Sequence, residues 1–381
     1  MAKRRDAEQP VRVAVVSPYY PPVMGGAEIQ VCRLVHELAE SGVLVDVYTG
    51  AVTSHRPKPP RGVSIVDCTP ARGDDRGWHL DLLRKLSEVA TPYRAGLLLL
   101  SSVGSRATVN AAAQLHRVGT RVVLRLSSQD RFRSLDQSDR NRLASIGHFI
   151  VQSAPLTAEL ITHGVAPERI YIIPNTPGVV TPLEKEAAQP SPVARSALFA
   201  GRLDPKKNLD VLISAWASVE SLFPDTTLRL VGSDTWEVWK GRPALRRDLA
   251  KLVQALDLRC VTFVGPRSER EMQREYRSAV LAVSASSNEG MSNFLIEAMA
   301  HGLPVICADI LANAFVKSIA GNWVFDPRDP LALSAALRAA FATPAAELRE
   351  VGKRNYQWVA QQLSAERKLA KYLAILDVGS Q

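Results

Sequence analysis

The sequence has few of the features that assign a chain at once to a secreted, metal-binding or membrane-spanning class. It holds four cysteines in 381 residues, and their scattered positions match no metal-binding spacing. We predict reduced thiols in a reducing compartment, with the last two of the four in the core. No apolar run approaches the length of a transmembrane helix. The cysteines are Cys32, Cys68, Cys260 and Cys307.

Two further signatures are incomplete. Residues 1–5 are basic like the start of a signal peptide, but the next apolar run stops at Ser17 and is too short for one. Residues 104–107 lack the glycines of a dinucleotide-binding turn, so a Rossmann dehydrogenase is poorly supported. We therefore predict a cytoplasmic protein, with a peripheral position at the inner face of a membrane left open.

Charge and length are informative only in broad terms. The net charge of +9 favours acidic partners such as nucleotide diphosphates, anionic lipids or nucleic acid, without choosing among them. Nucleic-acid binding rests on charge alone, and we do not predict it. A chain of 381 residues suggests two domains, each large enough to bury its own core.

Short apolar segments alternate with amphipathic ones along the whole chain. Residues 11–16, 44–48 and 97–100 are typical of buried parallel strands, and helical patterns separate them. A second alternating series begins at Ala197, after a stretch rich in Pro, Ala and charge. The pattern predicts two doubly wound α/β domains. We place them at 1–182 and 197–355, with a linker at 183–196 and a C-terminal helix in 356–381.

The most informative stretch is residues 288–306, which predicts a polar loop, a helix and a strand, directly after a strand at 279–285. Glu289 lies in the loop and Glu297 in the helix, with seven residues between them. A carboxylate among the apolar neighbours of Glu297 is costly unless it is hydrogen-bonded. Backbone N–H groups of residues 291–294 at the helix start would form an anion site, and Gly290 would let a ligand approach closely.

This stretch resembles the glutamate–seven–glutamate motif of the family-4 retaining glycosyltransferases, which have the GT-B fold. The resemblance implies an α/β protein of two doubly wound Rossmann-like domains facing across a cleft, with the last helix crossing back to the first domain. It also implies that Glu289 contacts hydroxyls of the transferred sugar and that Glu297 holds the ribose of the nucleotide. The amides of the intervening residues would meet the diphosphate or the sugar; these residues are Gly290, Met291, Ser292 and Asn293.

A second motif follows the strand that begins at Ala197. Residues 201–208 resemble the family's Gly-Arg-Leu…Pro-x-Lys-Gly motif, with Asn208 at the glycine position. The resemblance implies that Arg202 and Lys207 grip the donor diphosphate, and it favours Lys207 over Lys206. Two cations beside a helix N-terminus would stabilise a leaving group that gains negative charge. With Glu289, Arg202 and Lys207 form our predicted catalytic set.

Gly25 and Gly26 stand between the first strand and the first helix. A strand, a glycine turn and a helix make a phosphate-site arrangement, although the spacing differs from the dinucleotide fingerprint. The pair resembles the Gly-Gly loop of the same family, which lies near donor phosphate and acceptor. The alternative is a tight turn without any ligand.

Three positions depart from the family's pattern. Ser127 stands where many relatives have a histidine near the reacting sugar, which puts acceptor handling in doubt. Residues 308–313 lack the usual Gly-Gly pair, so the local backbone should differ. Thr176 replaces the usual glycine in the Pro-Asn-Gly turn at the domain junction.

Arginines cluster in the first domain, with three aspartates among them. We hypothesise that some bind an anionic acceptor, for example a lipid diphosphate at a membrane; a solvated surface is the alternative. The cluster consists of Arg121, Arg125, Arg131, Arg133, Arg140 and Arg142, with Asp130, Asp136 and Asp139.

The predicted reaction is transfer of a sugar, of the hexosyl type, from a UDP-sugar or GDP-mannose to an acceptor hydroxyl, with retention. The resemblance implies front-face attack, in which the departing phosphate takes the acceptor's proton. No Asp-x-Asp occurs, so we expect neither a metal nor any other cofactor. The acceptor would be a glycan, a lipid-linked or a small molecule, and cell-envelope or exopolysaccharide synthesis is the usual role. A sugar-nucleotide epimerase and a non-catalytic GT-B-like binding protein remain alternatives.

Overall fold

The computed structural model describes residues 11–22, 25–52, 56–69, 76–89, 92–100, 105–127, 132–178, 195–234 and 244–377. They form two compact units. The first comprises the described parts of Met1–Pro174 and Ala365–Gln381, and the second those of Asn175–Ser364. Each unit is organised around one parallel sheet, because apolar strands separated by helical crossovers pair in this way.

The first unit contains a seven-stranded sheet of order β3-β2-β1-β4-β5-β6-β7. Its strands are β1 (Arg12–Val16), β2 (Leu44–Gly50), β3 (Val63–Cys68), β4 (Ala95–Leu99), β5 (Arg121–Arg125), β6 (Gly147–Val151) and β7 (Ile170–Ile172). Between them lie helices α1 (Gly26–Glu40), α2 (Arg76–Ser87), α3 (Ser105–Arg117), α4 (Gln137–Ile146) and α5 (Ala154–Thr162). Val13 pairs with Val45 on one side and Ala95 on the other, so the strand order reverses at β1 and β4.

The second unit contains a six-stranded sheet of order β10-β9-β8-β11-β12-β13. Its strands are β8 (Arg195–Ala200), β9 (Thr226–Val231), β10 (Val261–Gly265), β11 (Leu281–Ser284), β12 (Val305–Ala308) and β13 (Trp323–Phe325). Its helices are α6 (Leu209–Leu222), α7 (Leu245–Ala255), α8 (Glu269–Ser278), α9 (Asn293–Ala300), α10 (Ala314–Lys317), α11 (Ala332–Ala342) and α12 (Ala345–Gln362). β8 and β11 are neighbours where the order reverses.

The last helix, α13 (Ala365–Ile375), belongs to the first unit. It packs on α1 through an apolar cluster that includes Tyr372 and Ile375. Lys368 Nζ lies 2.8 Å from Glu37 Oε1 on α1, and the lysine side chain is only 5% exposed. Burial lowers the pKa of Lys368, and the carboxylate opposes that shift. A buried ion pair and apolar packing therefore attach α13 to the first sheet's covering helices.

The predicted α/β fold with two doubly wound domains is confirmed, but several details differ. The expected linker lies outside the described residues except for Arg195 and Ser196, which begin β8. The sequence of helix α4 lacks the apolar periodicity that would predict a helix. Its N-terminus is capped by Asp136, whose carboxylate accepts from the Asp139 amide at 2.8 Å. The prediction that Cys260 is buried is wrong, since the residue precedes β10 and is partly exposed.

Among the residues that the structure describes, no helix has both the length and the apolar character needed to cross a bilayer.

Candidate functional site

The loops that follow β8 and β11 meet at the switch point of the second sheet. In a doubly wound sheet, ligands bind outside the carboxyl ends of the strands where the strand order reverses. Arg202 and Lys207 lie in the loop after β8, and Glu289 lies in the loop after β11. The topology therefore brings the two predicted motifs to one edge of one sheet.

The first turn of the β8 loop packs directly on the loop after β9. The Gly201 amide donates to Val231 O at 3.0 Å, and the Leu203 amide donates to Ser233 O at 3.0 Å. Gly232 has φ +134, and a Cβ there would lie 1.8 Å from Gly201 O. Only glycine allows the two backbones to approach so closely. This contact fixes the direction in which the β8 loop leaves the sheet.

A short 3₁₀ turn, Pro205–Lys207, then leads into α6. The Asp204 carboxylate accepts from the Lys206 amide at 2.9 Å, which caps this turn. Asn208 adopts the left-handed conformation (φ 48, ψ 47), which asparagine tolerates better than most residues. Its side-chain Nδ2 donates to Ala285 O at 3.0 Å, just beyond β11. Lys206 O accepts from the Ser287 amide at 3.0 Å, so the residues on both sides of Lys207 are bonded to the β11 loop.

Lys207 itself completes this junction. Its Nζ contacts Glu289 Oε1, and the two side chains are 21% and 16% exposed. A partly buried ammonium beside a partly buried carboxylate suits a site where phosphate and sugar hydroxyls would meet. Arg202 lies in the same loop, is half-buried and has interactions of its own. The structure thus brings Lys207 and Glu289 together and places Arg202 on the loop that carries Lys207.

Helix α9 starts later than the sequence predicted. Ser292 is its N-cap, and Ser292 Oγ accepts from the Leu295 amide at 3.3 Å. The N–H groups that a helix leaves without intrahelical partners are therefore those of the first turn after Ser292, and Met291 precedes the helix. The expectation of an anion site built from residues 291–294 is corrected to the turn that begins at Asn293. Gly290, Met291 and Ser292 are buried, and Asn293 is half-buried.

Sequence reasoning missed one residue at this helix start. Asn175 follows the first unit's last strand, is 7% exposed, and belongs to the second unit. Its Nδ2 donates to Met291 O at 3.1 Å and to Asn293 Oδ1 at 2.8 Å. These bonds hold the N-terminal end of α9. The signal was the Pro-Asn dipeptide at 174–175, which the sequence indicated only as a domain-closing turn.

Glu297 lies on α9 and is half-buried. Its Oε2 accepts from the Tyr276 hydroxyl at 3.0 Å. This bond meets the sequence-based expectation that a carboxylate among apolar neighbours requires a hydrogen-bond donor.

The first unit holds the remaining predicted glycines. Gly25 is the N-cap of α1 in an extended conformation (φ −136, ψ −179), which any residue adopts, so its backbone conformation does not require glycine. Gly26 begins the helix. Glu28 is 7% exposed in the first turn, so a carboxylate already stands at this helix N-terminus. The residues before Gly25, Val23 and Met24, lie outside the described part.

The family departures have defined local structures. Ser127 lies two residues beyond β5 and is half-buried. The segment that lacks Gly-Gly forms a 3₁₀ turn, Leu311–Asn313, directly before α10. Asn313 is 1% exposed, and its Nδ2 donates to Ala308 O at 3.0 Å. The buried Asn313 side chain therefore bonds this segment to the end of β12.

Two members of the first unit's arginine cluster are paired or buried, and one of its aspartates is paired with a neighbouring arginine. Arg133 makes a two-pronged pair with Glu159, with Nη2 at 2.8 Å from Oε2, and Arg106 lies 3.2 Å from Asp136. Arg125 is buried in β5. These pairings favour the solvated-surface interpretation over a concentrated anion site.

Arg140 donates to Arg133 O at 3.1 Å and to the side chain of Gln137 at 3.0 Å. Arg131 and Asp130 lie outside the described residues.

The buried cysteines are not reactive groups. Burial raises the pKa of Cys307, in β12, to about 12, and also raises the pKa of Cys68, in β3, to about 12. Both thiols are therefore protonated at neutral pH and are poor nucleophiles. Within the described part of the chain, no three His, Cys, Asp or Glu side chains form a cluster suited to a metal ion.

Two parallel sheets of seven and six strands, with a lysine–carboxylate contact at the switch point of the second, define the class as GT-B. Residues 24–176 match the family model described as "Glycosyltransferase Family 4", and residues 194–343 match the one described as "Glycosyl transferases group 1". The chain belongs to the family-4 glycosyltransferases of the GT-B fold. The prediction of a glycosyltransferase is confirmed.

Several proteins with assigned names are similar to this chain at low sequence identity. The D-inositol 3-phosphate glycosyltransferase of Geodermatophilus obscurus is 28% identical over 406 aligned positions, which cover 93% of this chain and 88% of that protein. The protein of the same name from Jonesia denitrificans is 30% identical over 264 positions, covering 62% of this chain and 60% of its own.

Solved structures agree in fold. Sucrose-phosphate synthase from Thermosynechococcus elongatus superposes with a TM-score of 0.78 at 21% identity, covering 96% of this chain and 98% of that chain. The Anabaena protein Alr3699/HepE, solved with UDP and glucose, superposes with a TM-score of 0.74 at 16% identity, covering 96% and 99%. At these identities the likeness establishes the fold alone.

Proposed function

We propose that this protein is a retaining, metal-independent hexosyltransferase that moves a sugar from a nucleotide-diphosphate sugar to an acceptor hydroxyl. The observation that carries the proposal is the contact between Lys207 Nζ and Glu289 Oε1 at the switch point of the second sheet. The breaking bond joins a diphosphate to a sugar. The cation would bind the diphosphate, and the carboxylate beside it would accept hydrogen bonds from the sugar.

Each residue has a physical role in this proposal. Lys207 and Arg202 bind the diphosphate and stabilise the negative charge that it gains as the sugar departs. Glu289 accepts hydrogen bonds from hydroxyls of the transferred sugar, and Glu297 accepts from the ribose. The first-turn N–H groups of α9 add a positive helix end next to the same loop.

The reaction breaks the bond between the anomeric carbon and the diphosphate oxygen. The acceptor oxygen attacks on the same face, and its proton passes to the departing phosphate oxygen. Lys207 contacts Glu289. When a sugar nucleotide binds, Lys207 would lie between this carboxylate and the phosphate. The protein's contribution is thus orientation and charge stabilisation, with no covalent intermediate.

For the donor we propose a UDP-sugar, with GDP-mannose as the second choice. The Anabaena structure was solved with UDP and glucose, and an Escherichia coli trehalose-6-phosphate structure was solved with UDP-2-fluoro glucose. For the acceptor we propose a phosphorylated inositol first, because relatives that cover most of the chain carry that substrate in their names. Lipid-linked or glycan acceptors of cell-envelope or exopolysaccharide synthesis come second.

A transfer assay tests this proposal. Wild type is incubated with UDP-glucose, UDP-N-acetylglucosamine or GDP-mannose, with and without inositol phosphate, with chelator in a parallel set. We expect an acceptor-dependent product with the donor's anomeric configuration, unaffected by chelator. Lys207→Met should lower the rate by about 10²-fold or more. Lys206→Met is the matched control, since that neighbouring side chain is exposed. Conversion of the donor without any acceptor would instead indicate an epimerase.

A further inference from the structure

Tyr276 makes a three-point contact with helix α9. It lies near the end of α8 and is 3% exposed. Its ring stacks on His301, with centroids 4.6 Å apart, and lies nearly parallel to Phe294 at 6.3 Å. Its hydroxyl donates to Glu297 Oε2 at 3.0 Å. Positions 294, 297 and 301 follow helical spacing, so they line one side of α9. Tyr276 therefore packs along that side and touches Glu297 at its centre.

His301 has a fixed orientation in this contact. Its Nδ1 lies 2.8 Å from Glu297 O, and a carbonyl oxygen can only accept, so Nδ1 carries the hydrogen. The His301 amide also donates to Glu297 O, at 3.1 Å. The imidazole is thus held against the last turn of α9, where it forms a flat support for the phenol ring. Ring position and hydroxyl direction are set by different neighbours, which limits the freedom of both.

The residue next to Tyr276 anchors α8 to the sheet. Glu275 is 7% exposed and accepts from Arg229 on β9 at 2.8 Å and 2.9 Å. Arg267 Nε lies 3.3 Å from the same carboxylate. A two-pronged guanidinium–carboxylate pair is geometrically restrictive, so it fixes the backbone from which Tyr276 projects. The Tyr276 phenol therefore contacts Glu297 from a helix whose backbone is held in place.

We propose that Tyr276 is a positioning residue that orients the Glu297 carboxylate toward the paired hydroxyls of a bound nucleotide. The inference rests on the proposed function, in which Glu297 binds the ribose. A carboxylate on a flexible side chain must select one orientation to accept from two adjacent hydroxyls. The Tyr276 hydroxyl, by holding Oε2, makes that selection before the nucleotide arrives.

The test compares two buried tyrosines in different units, each of which donates a hydrogen bond from its hydroxyl to a carboxylate. Tyr93, in the first unit, is also 3% exposed, and its hydroxyl donates to the buried Asp46 carboxylate at 2.7 Å. Tyr276→Phe and Tyr93→Phe each remove a phenol-to-carboxylate bond and keep the ring, and Tyr93→Phe also removes the bond between the Tyr93 and Tyr48 hydroxyls, which lie 2.8 Å apart. UDP binding is measured by calorimetric titration, and folding is checked by thermal melting.

We expect Tyr276→Phe to weaken UDP binding roughly tenfold, the effect of one hydrogen bond to a charged group. Tyr93→Phe should bind UDP like wild type although its melting temperature also falls. In a Glu297→Gln background, adding Tyr276→Phe should reduce UDP affinity less than it does in wild type, because Tyr276 and Glu297 act through one contact.

Contrary results have distinct meanings. If wild type binds UDP and Tyr276→Phe binds it equally well, the positioning role is wrong while the proposed function stands. Fully additive losses with Glu297→Gln would also overturn the positioning role. If wild type binds neither UDP nor GDP, ADP or dTDP, the proposed function fails and this inference fails with it. Should Tyr276→Phe not fold, His301→Ala removes the ring that supports Tyr276, and unchanged UDP affinity there would reject the inference.

Discussion

Lys207 Nζ contacts Glu289 Oε1, and this contact joins the loop after β8 to the loop after β11. The two residues are 82 positions apart in the chain. They meet because β8 and β11 are adjacent strands and because Asn208 and Ser287 bond the two loops together beside them. The fold therefore fixes the lysine and the carboxylate relative to each other, which is the arrangement that electrostatic catalysis requires.

The first prediction concerns the coupling between these two charges. Lys207→Met or Glu289→Gln alone leaves a partly buried charge without its partner, so each should destabilise the protein. The double variant removes both charges and should recover part of the loss. We expect a coupling of about 1–2 kcal/mol in urea unfolding, between the values for exposed and fully buried pairs. Strictly additive single effects would show that the contact contributes nothing to stability.

The second prediction separates the two roles of Asn208. Asn208→Gly retains the left-handed backbone but loses the bond to Ala285 O, and should cost about 0.5–1.5 kcal/mol. Asn208→Ala loses the same bond and adds backbone strain of about 1–2 kcal/mol. Denaturant unfolding of the two variants measures the difference. Equal stability would mean that the left-handed conformation is not retained at this position.

The third prediction concerns the backbone contact under the β8 loop. Gly232→Ala would place a Cβ 1.8 Å from Gly201 O, and the loop must move or the variant must unfold, at a cost above about 3 kcal/mol. Gly265→Ala, at the end of neighbouring β10, is the control. It has φ +81 but no atom within 4 Å of the new Cβ, so only strain of about 1–2 kcal/mol applies. Similar melting temperatures for both variants would contradict the close approach.

The fourth prediction concerns pH. Burial lowers the pKa of His148, in β6, and the nearby positive charges of Arg121 and Arg169 add to this shift. The unfolded chain binds a proton near pH 6.5 more readily than the native protein does, so stability rises with pH through that region. The stabilisation is present above about pH 6.5 and is lost as pH falls below it. His148→Gln should flatten the melting temperature between pH 5.5 and 7.5; an unchanged slope would assign the dependence to other groups.

Both sheets could be predicted from sequence because their strands are apolar runs that alternate with helices. The motif residues could be singled out because they lie in sequence motifs that are specific to one family. They are Glu289, Glu297, Arg202 and Lys207. Asn175 could not be found in this way. Its bonds to the start of α9 join residues more than a hundred positions apart, and the local Pro-Asn dipeptide indicates a turn but not these partners.

Other differences also have a local physical cause. The exact start of α9 depends on which of several polar residues caps it, and Ser292 does so rather than an earlier one. A glycine pair indicates that unusual backbone conformations are allowed, but the sequence does not show whether they are used, and Gly25 adopts an ordinary extended one. The pairing of Tyr276 with Glu297 depends on the tertiary packing of α8 against α9, which no spacing within either helix reveals.

The most direct test of the account is nucleotide binding at the Lys207–Glu289 site, measured as thermal shifts with UDP, GDP, ADP, dTDP and NAD. At a hundred times its dissociation constant, a ligand stabilises the native state by about 2.7 kcal/mol. The account predicts that one nucleoside diphosphate, UDP first, stabilises wild type and Lys206→Met but not Lys207→Met. A wild type that no nucleoside diphosphate stabilises, or a Lys207→Met variant that is stabilised equally, would contradict it.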